Sequence, residues 1–172
     1  MKKYIVAMAA AGTMFGMSAA QAADGTITFN GKIKDQSCTI STPAGKDFTV
    51  ELDTVSVGAL AAAGQTAGKK PFTISLSNCP QMDVAAYFEP GNTVDYSNGR
   101  LNNQKADGAK NVQVQILKDA KPLAINKNQE TQWVKVTQDG NASLDYFGEY
   151  YATGAATAGE LSTSVMYSIV YQ

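Results

Sequence analysis

An all-β sandwich of a single domain is the fold class this sequence predicts, and three observations carry that expectation. Apolar and polar residues alternate with period two in several short runs, while no long stretch has helical period. Turn signals built from Gly, Pro, Asn and Asp separate those runs at short intervals. Composition agrees, with only 17% charged residues against 15 Gly, 8 Tyr and 6 Phe, a balance that leans toward strands. At 172 residues the chain falls within the usual single-domain range and is long enough to bury a core.

The first element is read as a leader. Met1-Lys2-Lys3 is a short positive start, and Tyr4 to Met17 is mostly apolar. Ser18 to Ala22 then supplies small residues, with Ala20 and Ala22 at the spacing a signal peptidase recognises. Residues 1–22 therefore read as a cleaved secretory signal. The apolar run is too short for a membrane anchor, and Gly12, Thr13 and Gly16 break it. No cysteine follows the cut, so lipoprotein processing is not supported. The mature chain would be Ala23 to Gln172, 150 residues carrying 12 basic and 15 acidic groups, a net charge of −3.

Export changes the meaning of the two cysteines. An even pair in an oxidising compartment reads most simply as one disulfide, Cys38–Cys79, and the close C-x-x-C spacing of a redox pair is absent.

Along the mature chain, Phe48-Thr49-Val50-Glu51-Leu52, Phe72-Thr73-Ile74-Ser75-Leu76, Ala86-Tyr87-Phe88, Val112-Gln113-Val114-Gln115-Ile116 and Trp133-Val134-Lys135-Val136 all read as strands. Thr42-Pro43-Ala44-Gly45, Asn78-Cys79-Pro80, Glu89-Pro90-Gly91-Asn92, Asn98-Gly99 and Asp139-Gly140-Asn141 supply the turns between them. Val57 to Ala63, rich in Ala and Leu, is the one helix candidate and amounts to about a turn. Both ends of the mature chain alternate strongly. Gly25, Ile27, Phe29 and Gly31 share one face near the start, and Val165, Tyr167, Ile169 and Tyr171 share one face at the finish. Chain ends usually fray, so strong strand signals at both are notable.

Several chemistries are excluded or disfavoured. With no histidine there is no Ser-His-Asp triad, no Cys-His pair and no His-ligated zinc, so no catalytic residue is assigned and neither a metal nor a cofactor is implied. A net charge of −1 over the full chain gives no basic footprint for nucleic acid. Gly64 to Lys70 resembles a phosphate-binding loop but is one residue short and has Lys70 where a hydroxyl should bind magnesium, so it reads as a surface loop. Glu51 with Asp53, and Asp145 with Glu149, read as solvated carboxylates on outward faces rather than acid–base pairs. Tyr146, Phe147, Tyr150 and Tyr151 read as partly core and only secondarily as a sugar-stacking platform.

Gly25-Thr26-Ile27-Thr28-Phe29-Asn30-Gly31-Lys32-Ile33 with Cys38-Thr39-Ile40, Phe72 to Cys79, Asn111 to Leu117, Tyr151 to Gly159, the Gly fourteen positions from the end (Gly159) and the penultimate Tyr171 together form a pattern. In it the chain resembles the major structural subunits of type 1-like fimbriae, the pilins assembled by the chaperone–usher route in Gram-negative bacteria. The resemblance spans essentially the whole mature chain.

It implies an incomplete immunoglobulin-like β-sandwich that lacks its final strand and is completed by a donor strand, first from a periplasmic chaperone and then from a neighbouring subunit. It further implies that residues 23–31 are the donor extension and 32–172 the pilin domain. Ala23, Gly25, Ile27, Phe29 and Gly31 would form the inserted face. Gly159, Val165, Tyr167, Ile169, Tyr171 and Gln172 would belong to the terminal strand and its groove, with the Gln172 carboxylate held by basic residues of the chaperone. Ala23 lies only two residues ahead of Gly25, so initiation of strand exchange would fall to the very terminus. Partners implied are the chaperone, an outer-membrane usher, identical neighbours and other subunits of the same fimbria, on a route through the periplasm to the cell surface. A structural rod subunit supporting adhesion is the leading function. A minor adaptor or an adhesive subunit is the alternative, although a tip adhesin would normally carry a receptor-binding domain ahead of the pilin domain.

Overall fold

The structure, a computed structural model, describes residues 25, 27–31, 37–126 and 129–172. Residues 1–22, read above as a leader, and Ala23, Lys32 and Ile33 lie outside the described residues. The chain divides into two units, residues 1–34 and 35–172. In the first, the described residues are exposed, Ile27 at 81% and Phe29 at 90%.

Among the described residues the second unit has ten antiparallel strands: β1 (Thr39–Ile40), β2 (Thr66–Ser77), β3 (Asp83–Phe88), β4 (Val94–Asp95), β5 (Arg100–Asn102), β6 (Val112–Lys118), β7 (Lys121–Pro122), β8 (Val134–Lys135), β9 (Ala142–Ala152) and β10 (Tyr167–Tyr171). Seven form one sheet in the order β1-β2-β9-β6-β5-β4, with β7 paired to β6, and three form the facing sheet, β10-β3-β8. Val57–Leu60 makes one 3-10 turn, capped by Ser56, whose hydroxyl accepts from the Gly58 amide at 3.1 Å.

Period-two patterning explains which side chains fill the space between the sheets. Ile74 and Leu76 of β2, Val84 and Phe88 of β3, and Leu144 and Tyr146 of β9 are all at most 2% exposed. Phe88 meets Tyr146 edge-on at 5.1 Å between centroids, and Phe72 stacks on the same ring at 5.7 Å. A smaller cluster of Leu60, Ala109, Val112 and Ala152 forms a second core. Cys38 and Cys79 are joined in a disulfide spanning 41 residues, which ties the chain entering β1 to the end of β2.

Three readings of the sequence are corrected. Phe48 to Leu52 keeps its alternation, with Phe48, Val50 and Leu52 half-buried and Thr49 and Glu51 exposed, yet it joins no ladder among the described residues. Alternation reports which face is buried, whereas a strand also needs a hydrogen-bonding neighbour. The 64–70 stretch is not wholly a loop, because β2 begins at Thr66 and carries an irregularity between Ala67 and Lys70, where Gly68 adopts a left-handed φ of 66°. Glu149 is not solvated. It is 8% exposed, and the Gln115 side-chain amide donates to it at 2.7 Å while Arg100 donates to the same Gln115 at 3.1 Å.

Candidate functional site: the free edge of the terminal strand

β10 ends the three-stranded sheet, and its register with β3 determines what its two edges present. Asp83 and Gln172 exchange both amide–carbonyl bonds, at 3.2 and 2.9 Å, and the Glu89 amide donates to the Met166 carbonyl at 2.8 Å. In an antiparallel ladder that parity turns the backbone groups of residues 166, 168, 170 and 172 toward β3. The N–H and C=O groups of Tyr167, Ile169 and Tyr171 therefore point away from β3, toward an edge that no strand pairs among the described residues.

The side chains of the same alternate residues face inward. Val165, Tyr167, Ile169 and Tyr171 are half-buried and pack against the main core, together with Ile40, Phe48, Leu52, Phe72 and Leu161. Across from them runs the 38–52 segment, joined to β10 by two side-chain bonds. Tyr171 Oη accepts from the Cys38 amide at 3.0 Å, and Tyr167 Oη donates to the Lys46 carbonyl at 2.8 Å. Burial, then the neighbouring Asp47 charge, raises the Tyr167 phenol above its ordinary value, so it is a firm donor at neutral pH. The result is a groove with an apolar floor, one wall of free backbone hydrogen-bonding groups, and a second wall that begins at the disulfide. Chemically, such a feature offers main-chain pairing and side-chain pockets rather than a reaction centre.

Gly159 is at the corner leading to this wall, eight residues before β10. Its φ is 153°, and a Cβ placed there would lie 2.5 Å from the Ala109 amide nitrogen and 2.9 Å from the Gly108 carbonyl carbon. Only glycine permits that approach. Beyond it, the Ala109 amide donates to the Glu160 carbonyl at 2.9 Å, Gln104 to Ser162 at 2.8 Å, and the Thr93 hydroxyl to Ser164 at 2.7 Å. These bonds carry the chain from one sheet to the other and deliver Val165 into the groove.

Cys38 and Cys79 are thus brought to one end of the groove, Val165, Tyr167, Ile169 and Tyr171 form its wall, and exposed Gln172 closes the ladder against Asp83. Gly25, Ile27, Phe29 and Gly31 lie in the separate N-terminal unit, where a Cβ on either glycine would meet nothing within 4 Å. The cross-groove tyrosine bonds escaped sequence reading, because their partners lie 133 and 121 residues away. Of the aromatic run, Tyr146 is core, while Lys69 covers the Phe147 ring at 4.3 Å and Arg100 the Tyr151 ring at 3.5 Å.

The sandwich and its open-edged terminal strand define a fold class, an immunoglobulin-like β-sandwich with one uncovered edge, which solved pilus subunits share. A solved chaperone–usher pilus structure concerned with rod uncoiling superposes with a TM-score of 0.63 at 21% identity, covering 87% of this chain and 96% of that one. The P pilus rod subunit PapA gives 0.62 at 18%, covering 78% and 99%. The family described as type-1 fimbrial protein, A, matches residues 52–172. The major fimbrial subunit SMF-1 of Stenotrophomonas maltophilia (strain K279a) is 53% identical over 161 residues, covering 89% of this chain and 95% of the relative. The F17 fimbrial protein of Escherichia coli is 43% identical over 165 residues, covering 90% and 91%. The chain belongs to the type-1 fimbrial protein family, as its resemblance to the pilins implied. It is a structural subunit of a cell-surface fimbria.

Proposed function

We propose that this subunit polymerises by donor-strand exchange, with residues 23–31 of one copy entering the groove beside β10 of the next. The observation that carries the reading is the edge of β10 that no strand pairs among the described residues, where outward backbone groups and a half-buried apolar row occur on the same strand. A long apolar edge of this kind is an aggregation hazard unless another strand covers it. The same chain carries Ile27 and Phe29, exposed and alternating with polar residues, which is the complementary pattern. Burying each would contribute about 1.5–3 kcal/mol. Dissociation would be slower still, because leaving means reopening a folded core.

Before assembly, a periplasmic chaperone lends the strand and holds the Gln172 carboxylate with basic residues, and an outer-membrane usher delivers the subunit to the fibre. Residues 1–22 direct export and are removed. The role is structural rather than enzymatic, and the subunit builds the rod that supports adhesion. Electrophoresis of sheared surface material in SDS tests the reading. Unheated samples should run as a ladder of multiples that collapses to one band of mature mass on boiling. A single small band in both lanes would overturn it.

A further inference from the structure

The two tyrosine bonds across the groove assign these residues a second role. On β10, Tyr167 and Tyr171 are separated by four residues, about 13 Å of extended chain. Their partners Lys46 and Cys38 follow in reverse order, so the opposite wall runs antiparallel to β10. A tyrosine side chain plus one hydrogen bond reaches at most about two inter-strand spacings of ~4.8 Å. A gap held by both bonds therefore cannot exceed the room that one inserted strand needs. Among the described residues, these are the hydrogen bonds that join β10 to the 38–52 segment.

The two anchorages differ. Cys38 stands on a firm post, since its disulfide partner Cys79 donates its amide to the Gly140 carbonyl at 2.9 Å. Ser41 and Thr42 are fastened to β2, the Ser41 amide donating to the Ser75 carbonyl at 2.8 Å and the Thr42 hydroxyl accepting from the Ser75 amide at 3.0 Å. Lys46 lies beyond those fastenings and past the turn closed by the Gly45 amide on the Thr42 carbonyl. The Tyr167 hydroxyl is what brings that part of the wall back to β10.

We infer that Tyr167 and Tyr171 are positioning residues for strand exchange, their hydroxyls acting as struts that set the groove to the width of one strand and keep both walls on the strand it receives. The inference rests on the donor-strand reading. It assigns the hydroxyls a task separate from the apolar packing of the rings, and Tyr→Phe substitution divides the two.

The test uses the mature chain and a fluorescent peptide of the sequence of residues 23–31, followed by chase with unlabelled peptide. A net hydrogen bond corresponds to roughly a two- to tenfold factor in an equilibrium. Y167F and Y171F should each release the peptide about threefold faster, and the double variant about tenfold faster. Y96F removes an exposed tyrosine hydroxyl that donates to the Pro90 carbonyl rather than to a groove wall, and should leave release unchanged. Hydrogen exchange adds a local readout, in which the Cys38 amide of the peptide-filled protein should be protected and should lose that protection in Y171F, while the Cys79 amide keeps its own. Wild-type release rates in the double variant, equal acceleration by Y96F, or identical Cys38 exchange in filled wild type and Y171F would each overturn the strut assignment. Failure of the unsubstituted chain both to take up the peptide and to polymerise through its own residues 23–31 would instead overturn the donor-strand reading beneath it.

Discussion

Substituting Gly159 by alanine should damage the subunit far more than its exposed position suggests. A Cβ at this site falls 2.5 Å from the Ala109 nitrogen and 2.9 Å from the Gly108 carbonyl carbon, both backbone atoms that no rotamer change can move aside. The φ of 153° adds strain for any L side chain. Backbone strain of this kind costs about 1–3 kcal/mol, and forcing a methyl into an occupied contact costs a further 1–3 kcal/mol or so. A combined loss of about 3 kcal/mol would lower the melting temperature of a domain this size by roughly 6–12 °C. Gly154→Ala is the matched control, because its Cβ would meet its nearest neighbour, an Asn111 side-chain atom, at 3.6 Å, an ordinary contact. Differential scanning calorimetry of both variants with the groove filled by donor peptide makes the comparison at equal occupancy. Beyond stability, a displaced corner would shift residues 160–165 and the wall they deliver, so peptide uptake should slow in parallel. If Gly159→Ala melts within 2 °C or so of the unsubstituted protein while Gly154→Ala does the same, the close approach to Ala109 does not constrain the fold and the reasoning fails.

Phe29→Asp should abolish fibre growth while leaving the chaperone-bound yield intact, since the charge would be forced into an apolar pocket only during exchange; surface fimbriae counted by electron microscopy against periplasmic subunit would decide it. Cys38→Ser should cost about 4 kcal/mol of loop-closure stabilisation across the 41-residue span and reduce chaperone-bound yield, and undiminished yield would show the disulfide dispensable. Asp95 is held down to about 2 from 3.8, first by the Ser97 hydroxyl, then by the Gln113 side chain. Because the folded value lies below the unfolded one, its contribution is fully present above pH 4 or so and is lost as pH falls toward 2. The acid unfolding curve of Asp95→Asn should therefore be flatter than wild type across that window, and superimposable curves would contradict the assignment.

Much of the framework was legible in the chain itself, because period-two alternation reports which side chains turn toward the core, although on β6 the intervening Gln113 and Gln115 are buried as well. That is why Phe72-Ile74-Leu76, Val112-Val114-Ile116 and Ala86-Phe88 were recognisable as strands before any neighbour was known. The cysteine pairing was readable from compartment and count, and the terminal pattern from Gly159 to Tyr171 pointed to the family. Alternation carries no information about the partner across a ladder. Phe48 to Leu52 has a buried face without a hydrogen-bonded neighbour among the described residues, and Glu149 is buried because Gln115 on the adjacent strand supplies its partner.

The sequence by itself determined the strand pattern, the pairing of the cysteines and the class of subunit, since each depends on residue type, spacing or compartment. Tertiary structure alone decided why Gly159 must be glycine, which edge of β10 is free, and which residues bridge the two walls of the groove. Those properties arise from backbone register and from contacts such as Tyr171 with Cys38 and Tyr167 with Lys46, whose partners become neighbours only when the last strand folds back beside the first.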